Sequence, residues 1–116
     1  MTIKHFEAIT HHQPGLVAID LCGDLTAQAG PALNAAYNAL ESQNPNIIYF
    51  NFARVNYINS NGIALMISLL ALARQSSRTL VAYGVRPFHA ELFQLAGLHD
   101  YMPILQRELS VRFEKA

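Results

Sequence analysis

Blocks of apolar residues along the chain predict an alternation of strands and helices. Short runs rich in Val, Ile, Leu and Phe are typical of buried strands, whereas longer stretches with apolar residues three or four apart favour helices. The first two predicted elements are strands, and helices and strands then alternate, which gives the order ββαβαβαβ. In chain order the elements are Ile3–Ile9, Leu16–Leu21, Ala27–Ser42, Ile47–Phe52, Gly62–Gln75, Thr79–Val85, Pro87–Ala96 and Met102–Gln106. The tail from Glu108 to Ala116 is expected to form an optional final helix or a frayed end.

The connections between the predicted strands indicate how they pair. Pro14 and Gly15 suit a type II turn, because Pro fixes the first central φ angle and Gly accepts the positive second one. The first two strands are therefore expected to form an antiparallel hairpin. Each later pair of strands is separated by a helix, which favours parallel pairing. The sequence thus predicts an α/β fold whose mixed, mostly parallel sheet carries an antiparallel hairpin at its N-terminal edge.

A group of small polar residues interrupts the apolar pattern where a strand gives way to a helix. It comprises Asn59, Ser60, Asn61 and Gly62, and it precedes the segment Ile63–Ala73, which is apolar except at Ser68. The N-terminus of a helix offers free backbone N–H groups and a positive dipole end, so a negative charge is stabilised there. Small polar residues at this point are also preferred helix caps.

Two roles remain open for the serine of this junction. Ser60 could itself cap the helix, in which case its oxygen accepts a hydrogen bond from the backbone. If Asn59 is the cap instead, Ser60 occupies the first helical position and its hydroxyl is available for other chemistry. Ile58 and Ile63 would then stand at the two positions of a hydrophobic staple.

The helix that follows is apolar nearly all round, although a helix on one face of a sheet needs only an apolar stripe. The surplus must be buried either by a neighbouring helix of the same domain or by another protein, and both explanations remain open. Met66, with its flexible side chain, would suit an adaptable contact surface with a partner.

Composition limits the classes of function. The 116 residues suit a single domain, expected to span 1–116, and eight Lys and Arg balance eight Asp and Glu. A neutral chain of this kind gives no reason to expect nucleic acid or an anionic membrane as a partner. The apolar run is far shorter than the ~20 residues that span a bilayer, so no direct membrane insertion is expected. Cys22 is the only cysteine and the N-terminus has no apolar signal core, which favours a cytoplasmic location.

Other candidate chemistry is sparse. His11 and His12 lack metal-ligating neighbours and are expected to lie at a solvent-exposed hairpin tip. Arg54 and Arg86 each follow a predicted strand and could hold a phosphate or an acidic partner. No catalytic constellation emerges, so neither an enzyme nor a cofactor is expected.

Three motifs in the right order carry a resemblance to a known family. They are Gly23-Asp24-Leu25-Thr26, Ile58-Asn59-Ser60-Asn61-Gly62 and Leu92-Phe93-Gln94-Leu95-Ala96-Gly97-Leu98. Together they resemble STAS domains, and in particular the small stand-alone ones that act as anti-sigma factor antagonists. The resemblance runs nearly from end to end and implies a STAS-like fold.

The resemblance implies a regulatory switch. Ser60 matches the serine that a kinase-like anti-sigma factor phosphorylates in such antagonists. The unphosphorylated form binds that factor, and a PP2C-type phosphatase restores it. The partner surface is expected to comprise Thr26, Asn59, Ser60, Asn61, Gly62 and Met66.

The chain also departs from the family pattern. Asn59 stands where an acid usually precedes the serine, Thr26 replaces the frequent acid before the first helix, and Asn61 replaces a small residue. The alternative function is a STAS accessory subunit of a membrane transport complex, such as a lipid-transport ATPase, in which the apolar helix docks permanently and no phospho-switch operates.

Overall fold

A single sheet organises the part of the chain that the computed structural model describes, residues 5–105. Its strands lie side by side in chain order and are β1 (Glu7–Gln13), β2 (Leu16–Leu25), β3 (Ile47–Ile58), β4 (Thr79–Tyr83) and β5 (Ile104–Leu105). Strands β1 and β2 pair antiparallel, and every later neighbouring pair is parallel. The predicted mixed sheet with an antiparallel N-terminal hairpin is confirmed.

Three helices connect the parallel strands within residues 5–105. They are α1 (Gly30–Glu41), α2 (Ser60–Gln75) and α3 (Pro87–Leu95), and short 3-10 turns at Ala27–Ala29 and Leu98–Asp100 complete the connections. The observed order of strands and helices is the predicted ββαβαβαβ. The optional final helix, predicted for the tail from Glu108, lies outside the described residues.

The hydrophobic core lies between one face of the sheet and the helices. Phe50 and Phe52 of β3 point into it, and the ring of Phe52 contacts that of Phe93 of α3 edge to face, with centroids 5.3 Å apart. Tyr37 of α1 and Met66 of α2 are fully buried in the same core. Burial of this apolar area is the main stabilising contribution to the fold.

Strand boundaries differ from the predicted ones because pairing, rather than apolar content, sets them. Strand β1 was expected at Ile3–Ile9 but begins at Glu7 and runs to Gln13, paired residue by residue with β2. Strand β3 was expected to end at Phe52 but continues to Ile58, alongside the end of β2. Polar residues enter both extensions because an edge strand and a half-exposed strand end need only their backbone groups paired.

The expectation that His11 and His12 occupy a hairpin tip is wrong. Both lie within β1, and the tip is formed by Pro14 and Gly15, whose φ of +75° is the positive value predicted for the turn. His11 Nε2 lies 2.7 Å from Oδ2 of Asp20 on the neighbouring strand. Strand pairing places the two side chains on one face of the sheet, so the histidine belongs to a structural polar contact.

Candidate functional site

The start of α2 is fixed by a side-chain cap from Asn59. The backbone of Asn59 is extended, and its Oδ1 accepts a 2.9 Å hydrogen bond from the N–H of Gly62. The N–H of Ile63 donates to the carbonyl oxygen of Asn59 at 3.0 Å and closes the first helical turn. Ile58 and Ile63, the two predicted staple residues, are both buried. Of the two roles left open by the sequence, the cap belongs to Asn59.

Ser60 consequently occupies the first position of the helix with its hydroxyl free. The side chain is exposed, and Oγ makes no hydrogen bond among the contacts of residues 5–105. The backbone N–H groups of Ser60 and Asn61 precede the first intrahelical hydrogen bond and point out of the helix end. No acidic residue stands in this first turn. An exposed hydroxyl therefore lies beside unpaired N–H groups at the positive end of the helix dipole.

Gly62 holds the helix start tightly against the end of β2. A Cβ atom at this position would overlap the carbonyl oxygen of Leu25, so only glycine fits. The N–H of Asn59 donates to that same carbonyl at 3.3 Å. Thr26 follows Leu25 directly, so these contacts place Thr26 close to the start of α2 at Ser60.

Thr26 precedes the first helical turn but does not cap it with its side chain. Its backbone is extended, yet its side chain makes no capping hydrogen bond and Oγ1 donates instead to Oε1 of Gln28 at 3.0 Å. A 3-10 turn follows, and α1 begins only at Gly30, with Pro31 in its first turn. The expected helix from Ala27 is therefore replaced at its start by a tighter turn.

Two members of the expected partner surface are inaccessible. Met66 is fully buried, because it stands on the side of α2 that packs against the sheet, so its assignment as a contact residue is wrong. Gly62 is also buried, and its role is to permit close packing rather than to touch a partner. The accessible part of the expected surface reduces to Ser60 and Asn61, with Asn59 and Thr26 partly exposed.

The two arginines are not gathered around Ser60. Arg54 lies within β3, four residues before that strand ends, rather than after the strand. Arg86 stands just before α3, and its Nη2 donates to the carbonyl oxygen of Ala53 at 3.4 Å. Both side chains are exposed, and no contact in the described residues joins either to Ser60.

Helix α3 contributes a wall to the site that the sequence did not indicate. A hollow of about 310 Å³ beside Ser60 is lined by Ile58, Asn59, Ser60, Ile63, Leu92, Leu95 and Ala96. Leu95, in the last turn of α3, is 87% exposed. The signal available in the sequence was the number of apolar residues in Leu92–Leu98, which exceeds what one buried stripe requires.

A second hollow extends this apolar surface along α2. Its volume is about 240 Å³, it shares Ala96 with the first, and it ends at Arg74, whose guanidinium lies 5.7 Å from the centroid of the Tyr101 ring. Ile67 is 47% exposed along it, and Leu72 on α2 is 39% exposed. The surplus apolar residues of α2 are therefore not buried within the domain. We name the surface formed by Ser60, Ile67, Leu95 and Tyr101 the α2–α3 groove.

Residues 5–105 were compared with the patterns of metal-binding clusters and of membrane-spanning helices. No group of three or more His, Cys, Asp or Glu side chains in this part of the chain could hold a metal ion. None of the helices described is long and apolar enough to cross a membrane.

A family comparison covers most of the fold described above. The family model described as Mlab, STAS domain matches residues 10–107, which include the whole of the sheet from Thr10 onwards and all three helices. The chain belongs to the STAS domain family. The sequence resemblance is thereby confirmed.

Two anti-sigma-B factor antagonists are similar in sequence to this chain. An anti-sigma-B factor antagonist of Staphylococcus epidermidis is 26% identical over 100 residues, covering 86% of this chain and 91% of the relative. An anti-sigma-B factor antagonist of Staphylococcus aureus is also 26% identical, over 95 residues that cover 82% of this chain and 88% of the relative.

Solved structures of STAS domains share the fold. The unphosphorylated anti-sigma factor antagonist SpoIIAA aligns with a TM-score of 0.68 and 17% identity, over 96% of each chain. Its phosphorylated form, described as a Bacillus cell fate determinant, aligns with a TM-score of 0.65 and 21% identity, over 95% of this chain and 99% of that one. An anti-sigma factor antagonist from Mycobacterium paratuberculosis has a TM-score of 0.72 and 18% identity, over 96% and 93%.

Proposed function

We propose that this STAS domain is a non-enzymatic, protein-binding regulator that acts as an anti-sigma factor antagonist in the cytoplasm. In this proposal its partner is an anti-sigma factor with serine kinase activity, and phosphorylation of Ser60 releases that partner. A PP2C-type phosphatase returns the domain to its binding form. The named relatives are anti-sigma-B factor antagonists, which supports this class of partner.

The observation that carries the proposal is that Asn59 caps α2, whereas Ser60, the first residue of the helix, does not. Asn59 Oδ1 satisfies the N–H of Gly62, so the helix start does not depend on the serine hydroxyl. Modifying Ser60 therefore costs no hydrogen bond within the fold. A residue that is exposed, unpaired and structurally dispensable suits a group that is repeatedly modified and restored.

The local electrostatics favour a phosphate at this position. A phosphoserine carries about −1.5 to −2 charges, and a helix N-terminus stabilises such a charge through its free N–H groups. The first turn contains no acidic side chain that would repel it. SpoIIAA has been solved in unphosphorylated and phosphorylated forms, and this chain aligns with both, so the fold type is compatible with either state of that protein.

Phosphorylation would act on binding rather than on the fold. A partner docked over Ser60, Asn61 and the neighbouring Leu95 would meet new bulk and charge in its own interface. Misplaced charge at an interface costs several kcal/mol, and every ~1.4 kcal/mol is a tenfold change in affinity. One phosphate is thus enough to switch binding off.

A titration tests the switch. The candidate anti-sigma kinase of the same organism is titrated with wild-type protein, with Ser60→Asp and with Ser68→Asp, by isothermal titration calorimetry. Ser68 is an exposed serine further along the same helix and serves as the matched control. We expect Ser60→Asp to weaken binding about 100-fold or more, and Ser68→Asp to leave it nearly unchanged. Equal affinities for all three proteins would contradict the switch.

A second function is favoured by the exposed apolar side chains of α2 and α3. Ile67, Leu72 and Leu95 remain accessible, as a permanently docked subunit requires, and Asn59 replaces the acid typical of phosphorylated antagonists. The matching family model is named for Mlab rather than for an antagonist. The domain would then be an accessory subunit of a membrane transport complex such as a lipid-transport ATPase.

Affinity purification from membranes distinguishes the two functions. If the domain is a permanent subunit, tagged wild-type protein co-purifies stoichiometrically with a membrane ATPase. Ile67→Asp in the groove then abolishes recovery, whereas Ser60→Asp does not. If the domain is a switch, Ser60→Asp alone is enough to release its partner.

A further inference from the structure

The hollow that ends at Arg74 has apolar walls and a single charged group. Two of its lining side chains, Leu70 and Leu98, are buried, whereas Ile67 is half-exposed. Arg74 is the one charged residue among those that line it. Small-molecule sites follow the same pattern, because apolar walls bury the ligand and a few polar groups fix its orientation. With a volume of about 240 Å³, the hollow lies just below the ~300–1,000 Å³ of sites for drug-sized ligands, so it suits a smaller ligand.

The guanidinium of Arg74 has no carboxylate partner in residues 5–105. It lies over the ring of Tyr101, 5.7 Å from the centroid, and a guanidinium in this setting keeps the N–H groups at its edge available for an anion. None of the ion pairs of the described residues includes it. Oδ1 of Asp100, the acidic residue beside Tyr101, lies 3.4 Å from Nε2 of His99 instead. The hollow therefore offers apolar contacts and one positive charge that no carboxylate of this part of the chain neutralises.

Small residues keep the hollow open between α2 and α3. Ala71 of α2 and Ala96 at the end of α3 both line it, and Gly97 follows with a φ of +75°. A Cβ atom at Gly97 would meet no atom of the described residues within 4 Å, so the space beside it is empty. Ala96 also lines the hollow beside Ser60, so the two hollows are neighbours along the α2–α3 groove. An elongated apolar group can thus lie between the two helices.

We propose that the Arg74 hollow binds amphiphilic carboxylates, with the carboxylate on the guanidinium of Arg74 and an unbranched alkyl chain against Ile67, Leu70 and Leu98. The planar guanidinium selects the head group, because it donates two parallel hydrogen bonds to a carboxylate and repels a cation. The apolar walls select the tail, since the hydroxyl groups of a sugar would lose their hydrogen bonds to water without replacement. The site needs neither phosphorylation of Ser60 nor a protein partner, so it goes beyond the proposed function.

A titration of the full-length protein with sodium decanoate, below its micellar concentration, tests the proposal. Methyl groups are labelled, and we expect saturable shifts of the Ile67 and Leu98 methyl resonances, with nuclear Overhauser contacts to the decanoate chain. Octanoate should bind about tenfold more weakly, because it buries two methylene groups fewer. Decyltrimethylammonium, of opposite charge, should leave both resonances unshifted at the same concentration. Shifts that do not saturate, that are equal for the two head groups, or that occur only elsewhere would reveal an adventitious additive only and overturn the proposal.

A pair of arginine variants tests the head group. Arg74→Met keeps an apolar side chain at the hollow but removes its charge, and it is expected to weaken decanoate binding about fivefold, as for an exposed ion pair. Arg54→Met makes the same change at an exposed position of β3 that lines neither hollow, and it should leave the affinity unchanged. Equal affinities of the two variants would overturn the role of Arg74.

A pair of alanine variants tests the tail. Ala71→Leu fills the hollow from an exposed position of α2, and it is expected to abolish the saturable shift of Leu98. Ala39→Leu adds the same side chain at an exposed position of α1 and should leave binding unchanged. Melting temperatures show that both variants are folded, because leucine and alanine are both good helix formers. Undiminished decanoate binding by folded Ala71→Leu would place the ligand elsewhere and overturn the proposal.

Discussion

Two helix starts lie side by side at the same edge of the sheet, and only one presents a free hydroxyl. Each follows a parallel strand, and each has a small polar residue in extended conformation at its first turn: Thr26 before the 3-10 turn and α1, and Asn59 before α2. Asn59 accepts the N–H of Gly62, whereas Thr26 makes no capping hydrogen bond. Small polar residues therefore indicate a helix start, but the local backbone conformation decides which of them forms a capping hydrogen bond.

The difference explains why a free hydroxyl is found at the second start. At α2 the capping asparagine leaves the next residue, Ser60, exposed and unpaired. At the first start a tight turn and Pro31 lead into the helix, and the Thr26 hydroxyl donates to Gln28. The capped start can change its charge at Ser60 without losing a structural hydrogen bond. Variants at and near the two starts test this difference.

The largest difference is expected between glycines at the two starts. Gly62→Ala places a Cβ into the Leu25 carbonyl oxygen, a backbone atom that cannot move aside easily. We expect a loss of about 3 kcal/mol or failure to fold. Gly30→Ala places its Cβ 3.4 Å from a flexible methyl group of Leu65 and is expected to be neutral or slightly stabilising. Urea unfolding of both variants measures the difference, and similar losses would show that the two starts are equally tight.

Truncating the side chains of Asn59 and Thr26 should give a smaller difference in unfolding free energy between the two starts. Asn59→Ala leaves the N–H of Gly62 without its acceptor and should cost about 1 kcal/mol of unfolding free energy. Thr26→Ala removes no cap and should cost less than about 0.5 kcal/mol. Chemical denaturation of the two variants checks both values. A larger loss for Thr26→Ala would reverse the comparison.

The pH dependence of stability should arise outside both starts. Neither first turn contains an acidic residue, whereas His89 on α3 is buried. Burial, and next the charge of Arg86, lower the pKa of His89 below 6.5. The unfolded chain then binds a proton near pH 6.5 while the folded chain resists it, so the unfolding free energy falls as pH drops from 7.5 to 5. His89→Gln should flatten that slope, and the exposed control His99→Gln should retain it. Equal slopes would refute the role of His89.

The smallest effect on stability is expected at the proposed switch itself. Ser60→Ala removes a hydroxyl that has no partner in the described residues, so the unfolding free energy should change by less than about 0.5 kcal/mol. Thermal unfolding monitored by circular dichroism measures it. A loss as large as that of Asn59→Ala would mean that the serine, too, supports the helix start.

The sequence predicted the order of elements and the sheet topology because both follow from apolar blocks and connection lengths. It also identified the two competing registers at Asn59 and Ser60. It missed the ends of β1 and β3, since strand pairing with β2 extends them through polar residues. Boundaries of this kind depend on contacts between segments that are distant in the sequence.

The sequence predicted the start of α2 as part of the site, but not the wall that α3 contributes. The helix start follows from small polar residues between apolar runs, a local signal. The wall formed by Leu92 and Leu95 depends on how α3 packs beside α2. The surplus of apolar residues in Leu92–Leu98 indicates exposed apolar area but not that arrangement. Met66 was misassigned although Ile63, Met66 and Leu70 recur at helical spacing, which already indicated one buried side.

Locating phosphate on the chain tests directly whether Ser60 is a phosphoacceptor. Wild-type protein and Ser60→Ala are incubated with ATP and the candidate anti-sigma kinase of the same organism, and phosphate is located by tandem mass spectrometry. We expect one phosphate, on Ser60, in the wild type and none in the variant. Phosphate on another residue, or none on Ser60 with a kinase that binds the protein, would contradict the account.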